Sequence, residues 1–277
     1  MCGLIGAAVG CRQKRRLKDI ETIADVFTVM LLLSEHRGPH ATGVAWVKQD
    51  GRMQVVKEAL PARQFIQSGA YLDWLLGVDR QITYLMGHTR WPSRGSVLNP
   101  ANNHPLCLPV GEHGAVLTCH NGTLVGFQRH FERFRLPRTA QVDSELLARI
   151  VQRHTETTGI DLEAVLGDFS QLDGRMSLAL VATTRPEEII LLKGNMPLEV
   201  RVQSRTRMLV YASEARILDR ALASESGWEM LPLAHGEGLV VNTQAWTLRR
   251  VPFTFQGIHT DAGMSYTGAI TRKERSR

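Results

Sequence analysis

Little in this chain of 277 residues would suit it to a membrane or an oxidising exterior. Four cysteines are too few for a disulfide framework at this length, so a reducing cytoplasm is the expected compartment. No hydrophobic run approaches the roughly 20 residues of a membrane span. The longest, Val26 to Leu33, is interrupted by Thr28. The opening Met1-Cys2-Gly3-Leu4-Ile5-Gly6 lacks the basic start of a secretory leader, since the arginines begin only at Arg12. Hydrophobic residues at 43% and charged residues at 22% leave no room for a disordered, collagen-like or coiled-coil chain.

Acid is also scarce relative to base. Twenty-seven acidic residues face 33 basic ones, a formal charge of +6. The excess collects in Arg12-Gln13-Lys14-Arg15-Arg16-Leu17-Lys18 and in Thr271-Arg272-Lys273-Glu274-Arg275-Ser276-Arg277. Each cluster reads as a solvated loop or tail, or as a surface for an acidic partner or nucleic acid. Neither carries the interleaved aromatics that stack on bases, so nucleic acid is the lesser reading.

Hydrophobic spacing sets out the elements. Gly3 to Gly10 reads as a buried strand. Leu17, Ile20, Ala24, Phe27 and Leu31 predict a helix ending near Ser34, before His36-Arg37-Gly38-Pro39. Asp50-Gly51 between Val44–Lys48 and Met53–Lys57 marks a hairpin. One helix is expected from Pro61 to Leu76, then a strand from Gln81 to Met86. Gly87 to Val110 shows no periodicity and reads as a long functional loop. A strand at Ala115–Cys119 is expected to break at His120-Asn121-Gly122. Helices follow at Val125–Phe134, after an Asp143 N-cap, and at Leu162–Phe169. Strands then dominate at Met176–Ala182, Ile189–Lys193 and Met208–Ala212. A helix at Glu214–Ala223 precedes strands at Gly238–Val241 and Ala245–Val251. The order predicts an α+β domain of hairpin-linked antiparallel sheets with helices packed outside.

Three patterns could carry chemistry. Gly3, Gly6 and Gly10 fit neither the dinucleotide fingerprint nor the P-loop, and no cofactor is implied. His104, Cys107, Cys119 and His120 have the residue types of a zinc site, but neighbouring strand residues such as Cys119 and His120 point to opposite faces, so no metal is expected. Cys2 is the third. Once Met1 is trimmed it holds a thiol and a free α-amine titrating near neutrality, a nucleophile with its own general base.

Other segments join it. The chain resembles the class II glutamine amidotransferase (glutaminase) domains of N-terminal nucleophile (Ntn) hydrolases, as in glucosamine-6-phosphate synthase and amidophosphoribosyltransferase. The resemblance rests on Met1-Cys2-Gly3-Leu4-Ile5-Gly6, Arg37-Gly38-Pro39-His40-Ala41-Thr42-Gly43, Gly87-His88-Thr89-Arg90-Trp91, Asn103-His104-Pro105, His120-Asn121-Gly122 and Asp143-Ser144-Glu145, in the family's order. A weaker echo is Ala212-Ser213-Glu214. The resemblance implies a four-layer αββα sandwich, with a glutaminase domain over residues 1–255 and a basic tail over 256–277.

It also implies roles. Cys2 attacks the carboxamide of L-glutamine, and Asn121 and Gly122 form the oxyanion hole. Arg90 clamps the α-carboxylate and Asp143 the α-ammonium, with Trp91, Ser93 and His104 completing the substrate site. Arg37 and Gly38 support the floor. Departures are visible: Pro92-Ser93-Arg94 stands where Ala-Thr-His is common, and His40 where an aspartate is usual. About 22 residues follow Phe255, too few for a synthase, so ammonia is expected to pass to a separate synthase subunit. Two other readings stand beside this one: an amide hydrolase acting on a γ-glutamyl compound, and a catalytically silent scaffold.

Overall fold

A computed structural model describes residues 2–11 and 15–261. The chain opens with β1 (Gly3–Val9), α1 (Leu17–Leu33), β2 (Ala41–Lys48), β3 (Met53–Glu58), α2 (Ala62–Phe65), α3 (Gly69–Leu76) and β4 (Ile82–Arg90). It continues through β5 (Leu106–Val110), β6 (Gly114–Val125), α4 (Phe127–Arg133) and α5 (Ser144–Arg153) to a two-stranded hairpin of β7 (Thr155–Glu156) and β8 (Gly159–Ile160). Then come α6 (Leu162–Phe169), β9 (Asp173–Ala182), β10 (Glu188–Lys193), β11 (Glu199–Gln203) and β12 (Met208–Ala212). The last elements are α7 (Ala215–Ala221), β13 (Glu229–Met230), β14 (Glu237–Asn242), β15 (Thr247–Pro252) and α8 (Gln256–Asp261).

Two antiparallel sheets result, in the orders β13-β11-β12-β1-β4-β2-β3 and β15-β14-β10-β9-β6-β5. The period of two along β1 explains the layering. Ile5, Ala7 and Val9 face α1, packing with Ile23, Phe27 and Met30, while Leu4 and Ala8 face the second sheet. Leu117, Cys119, Val181 and Leu191 answer from that sheet. Its far face, with Val116, Leu178, Leu180 and Ile190, is covered by Leu147 and Ile150 of α5 and Phe169 of α6. The arrangement is the expected four-layer αββα sandwich. No described helix is long and apolar enough to cross a membrane.

Several boundaries differ from the sequence reading. The long loop expected over 87–110 is shorter: β4 runs on to Arg90, paired with both β1 and β2, and Leu106–Val110 pairs with β6. Polar His88 and Arg90 mask the first strand end, and Pro109 the second. Pro109 is tolerated because β5 is an edge strand. The expected break at His120-Asn121-Gly122 is absent, because β6 pairs with β9 without interruption from Val116 to Val125. The helix expected over 61–76 divides at Ser68, whose hydroxyl caps α3 by accepting from the Tyr71 amide at 3.2 Å. Strand β11 went unpredicted, since Glu199 and Arg201 alternate along it and engage Lys193 and Asp219 instead of an apolar face. Arg15, read as part of a solvated cluster, is buried and donates to the carbonyls of Val9, Gly10, Arg80 and Ile82. Helix α8 sits against β9, where Gln256 donates to the Leu172 carbonyl at 2.9 Å. Residues 12–14 and the basic end of the chain beyond 261 lie outside the described residues.

Candidate active site

The strand order brings together parts of the sequence more than 100 residues apart. Cys2 immediately precedes β1, at the centre of its sheet, where Gly3 pairs with Thr89 of β4. Arg90 closes the same end of β4. The facing sheet contributes Asn121 and Gly122 from β6, and α5 begins at Asp143. These residues line a cavity of about 180 Å³ together with Trp91, Ser93, Arg94, His104, Thr123, Ser144, Arg175 and Met196. Of the expected site residues, Arg37 and Gly38 alone do not line it; they lie behind Cys2.

Cys2 donates from its thiol to the Trp91 carbonyl at 3.6 Å. Burial raises the thiol's pKa, opposed by that bond and by the charges of Arg90 and Arg37. Sulfur in this setting is a thiol at neutral pH and needs a base to become a nucleophile. The backbone around it is pinned. Arg37 is buried and donates from Nε to the Cys2 carbonyl at 2.8 Å, while its Nη1 pairs with Glu214. Ser213 accepts from the Leu4 amide at 2.9 Å. The β12–α7 turn therefore holds the chain on both sides of Gly3. At Gly38 a Cβ would stand 2.5 Å from the Thr89 carbonyl oxygen and 2.4 Å from the Arg90 carbonyl carbon, so only glycine lets the segment carrying Arg37 lie against β4.

Asn121 is fully buried, and among the described residues neither its amide oxygen nor its nitrogen has a hydrogen-bond partner. An unmade pair of this kind costs stability. Gly122 takes φ +155°, and a Cβ there would meet the Arg175 carbonyl oxygen at 1.9 Å. Its amide edge is thus available beside Asn121 only because the residue is glycine.

Arg90 is buried and donates to Asn103 Oδ1 at 2.6 Å, to the Gly95 carbonyl at 2.9 Å and to the carbonyls of Arg94 and Ser96. Its guanidinium organises the loop that follows β4 as well as facing the cavity. Asp143 occupies the N-cap position of α5 as expected, but its side chain makes no cap bond. Oδ2 instead accepts from the Leu124 amide at 2.6 Å, tying α5 to β6. Trp91 is half exposed and meets His40 edge to face at 5.1 Å, a contact that the histidine at position 40 makes possible.

His104 is buried, with both ring nitrogens unpartnered among the described residues, and its ring lies tilted against His88 at 4.3 Å. Burial drives the pKa of each down, that of His88 to about 3 and that of His104 well below the usual range. Both rings are neutral at physiological pH. Of the residues weighed for zinc, His120 spends Nδ1 on Ser144 Oγ at 2.8 Å and Nε2 on the Arg175 carbonyl at 3.1 Å. Cys119 is enclosed between the sheets, and Cys107 lies in β5 rather than in a loop. Among the described residues no three His, Cys, Asp or Glu side chains gather to hold a metal ion.

Of the lining residues, sequence reasoning gave no site role to Arg94, Thr123, Val142, Ser144, Arg175 or Met196. Arg175 reaches the cavity because β9 pairs Thr123 with Arg175, a neighbourhood that no local motif encodes.

No family model matches the chain. Glutamine–fructose-6-phosphate aminotransferase (isomerizing) of Neisseria meningitidis is 28% identical over 214 residues, which is 72% of this chain and 30% of that protein. The Lactococcus lactis enzyme of the same name is 25% identical over 267 residues, 95% of this chain and 41% of that protein. The chain thus spans about a third of the length of the curated relatives it matches. Among solved structures, glutamine phosphoribosylpyrophosphate amidotransferase from B. subtilis superposes with a TM-score of 0.69 at 20% identity, over 91% of this chain and 49% of that one. A glutamine aminotransferase class-II domain protein from Silicibacter pomeroyi gives 0.51 at 15% identity, over 91% and 99%. The resemblance to class II glutaminase domains therefore holds in sequence and in fold, and the homologues are enzymes.

Proposed function

We propose that this chain hydrolyses L-glutamine to glutamate and ammonia through a Cys2 thioester, and that the ammonia passes to a separate synthase subunit. The observation that carries the reading is Asn121, buried in the cavity that Cys2, Arg90 and Asp143 share, with both amide atoms unpartnered among the described residues. A ligand with a carboxamide and an amino-acid head would use each group. Arg90 takes the α-carboxylate and Asp143 the α-ammonium. Trp91, Ser93 and His104 enclose the side chain, and neutral His104 offers hydrogen bonds without charge.

With Met1 removed, the Cys2 α-amine accepts the thiol proton as sulfur attacks the carboxamide carbon. The oxyanion forms against the Asn121 side-chain amide and the Gly122 N–H. Collapse expels the nitrogen, which leaves as ammonia with the proton returned from the amine, and a γ-glutamyl thioester remains. Water, deprotonated by the same amine, attacks the thioester, and glutamate departs as the thiol is restored. The four thiols, none in a disulfide, fit a cytoplasmic setting.

The test is hydrolysis of L-glutamine by the processed chain and by Cys2→Ala. Turnover by the wild type and its loss in a variant that unfolds at the wild-type temperature support the reading. Turnover by the variant near the wild-type rate overturns it. A panel including γ-glutamyl amides separates glutamine from larger substrates.

A further inference from the structure

The described surface gathers basic charge at a place the sequence reading passed over. Helix α4 and the turn after it carry Arg129, Arg133, Arg135 and Arg138 against a single acid, Glu132. All four arginines are exposed, and none is ion-paired among the described residues. Phenylalanine rings carry two of the four, Arg133 and Arg138, and two neighbouring arginines, Arg94 and Arg153. Arg94 and Arg138 lie over Phe127 at 5.5 and 5.0 Å from the ring centre, and Arg138 also reaches Phe131 at 5.7 Å. Arg133 and Arg153 share Phe134 at 5.8 and 5.9 Å.

A guanidinium resting on an aromatic ring is already ordered, and Arg138 is fixed further by donating to the Ala140 and Gln141 carbonyls at 3.1 and 3.4 Å, whereas the side chains of Arg129, Arg133 and Arg135 donate to no described residue. Four exposed guanidinium groups with one acid among them make this face a match for an opposite charge. Arg94 also lines the Cys2 cavity, so the cluster is continuous with the mouth of the site.

We propose that the α4 face is a docking surface for an acidic patch on a partner protein, which seats beside the rim formed by Trp91 to Arg94. The inference deepens the reading of an ammonia-releasing site by giving its partner a surface chemistry. Carboxylates fit the forked edges of the arginines. Nucleic acid fits less well, because Phe127 and Phe131 are buried under the arginines and offer no open ring to a base. Val125, 59% exposed beside α4, adds the apolar contact usual in a protein interface.

Fluorescently labelled poly-L-glutamate, titrated into the full chain and followed by anisotropy, is the probe. One variant combines Arg129→Glu, Arg133→Glu and Arg135→Glu, none of which lines the cavity. A control of equal charge combines Arg205→Glu, Arg220→Glu and Arg249→Glu on other elements. The α4 variant should bind about tenfold or more weakly with a flattened salt dependence, while the control stays near wild type. Equal loss in both variants, no loss in either, or tighter binding of single-stranded DNA that the α4 variant abolishes would overturn the proposal. Glutamine hydrolysis is read in the same samples. Its absence in every sample counts against the enzymatic reading alone, and its persistence in the α4 variant localises the effect to docking.

Discussion

At the scale of single residues, the site is built from groups left incomplete by the fold. Asn121 is the sharpest case. Its Ala variant relieves a buried unsatisfied amide, so stability should hold or rise while kcat falls about 10²–10³-fold with KM little changed. Steady-state kinetics beside thermal unfolding read both; an unchanged kcat would remove Asn121 from the oxyanion hole. His88 makes a different claim. Burial foremost, then Arg90, His120 and Arg37, depress its pKa from 6.5 to about 3, against a bond to the His120 carbonyl that favours the charged ring. The unfolded chain therefore binds a proton below pH 6.5 that the folded chain refuses. The stability that neutral His88 contributes is complete above 6.5 and is lost as pH falls toward 3, at up to about 1.4 kcal/mol per pH unit. Urea unfolding across that window should show a shallower acid loss in His88→Gln than in wild type, and parallel slopes would contradict the assignment.

At the scale of elements, β6 decides the most. It continues through an Asn-Gly pair that ordinarily marks a turn. The cause is tertiary, since β9 approaches Gly122 too closely for any side chain and captures the strand. Gly122→Ala should therefore lower both stability and activity by misaligning β6 and β9. A circular dichroism melt at the wild-type temperature with full activity would show that the approach can relax. The same element shows what a sequence can reveal. The apolar period of α1 and the near-continuous apolar runs of β9, β10 and β12 were legible because their neighbours are ordinary core. The end of β4 and the middle of β6 were not, because polar His88 and Arg90 and the Asn121-Gly122 pair interrupt the strand pattern, and Arg90, Asn121 and Gly122 line the cavity. Short motifs named Cys2, Arg90, Asn121 and Asp143, since local chain carries them. Arg175, Met196 and the ring contacts of Arg94 and Arg153 depend on which strands and helices become neighbours, and nothing local records that. The carboxylate of Asp143 is an intermediate case: its position at the head of α5 was legible, its bond across to β6 was not.

At the scale of the whole molecule, two sheets bring the start of the chain against residues 121 and 143, and the β12–α7 turn holds it there through Ser213, Glu214 and Arg37. Glu214 is fixed in its charged form. Burial pushes its pKa up, but Arg37, His36 and Arg216 outweigh burial and hold it at about 2. On the proposed reading, the fold so arranged presents one sulfur atom and its own amine to a carboxamide. The most direct measurement is peptide-level mass spectrometry of the processed chain after exposure to 6-diazo-5-oxo-L-norleucine, a reactive glutamine mimic, with and without excess L-glutamine. The account predicts a single adduct on Cys2, slowed by glutamine, with Cys11, Cys107 and Cys119 untouched. An unmodified Cys2, or labelling that glutamine does not slow, would contradict it.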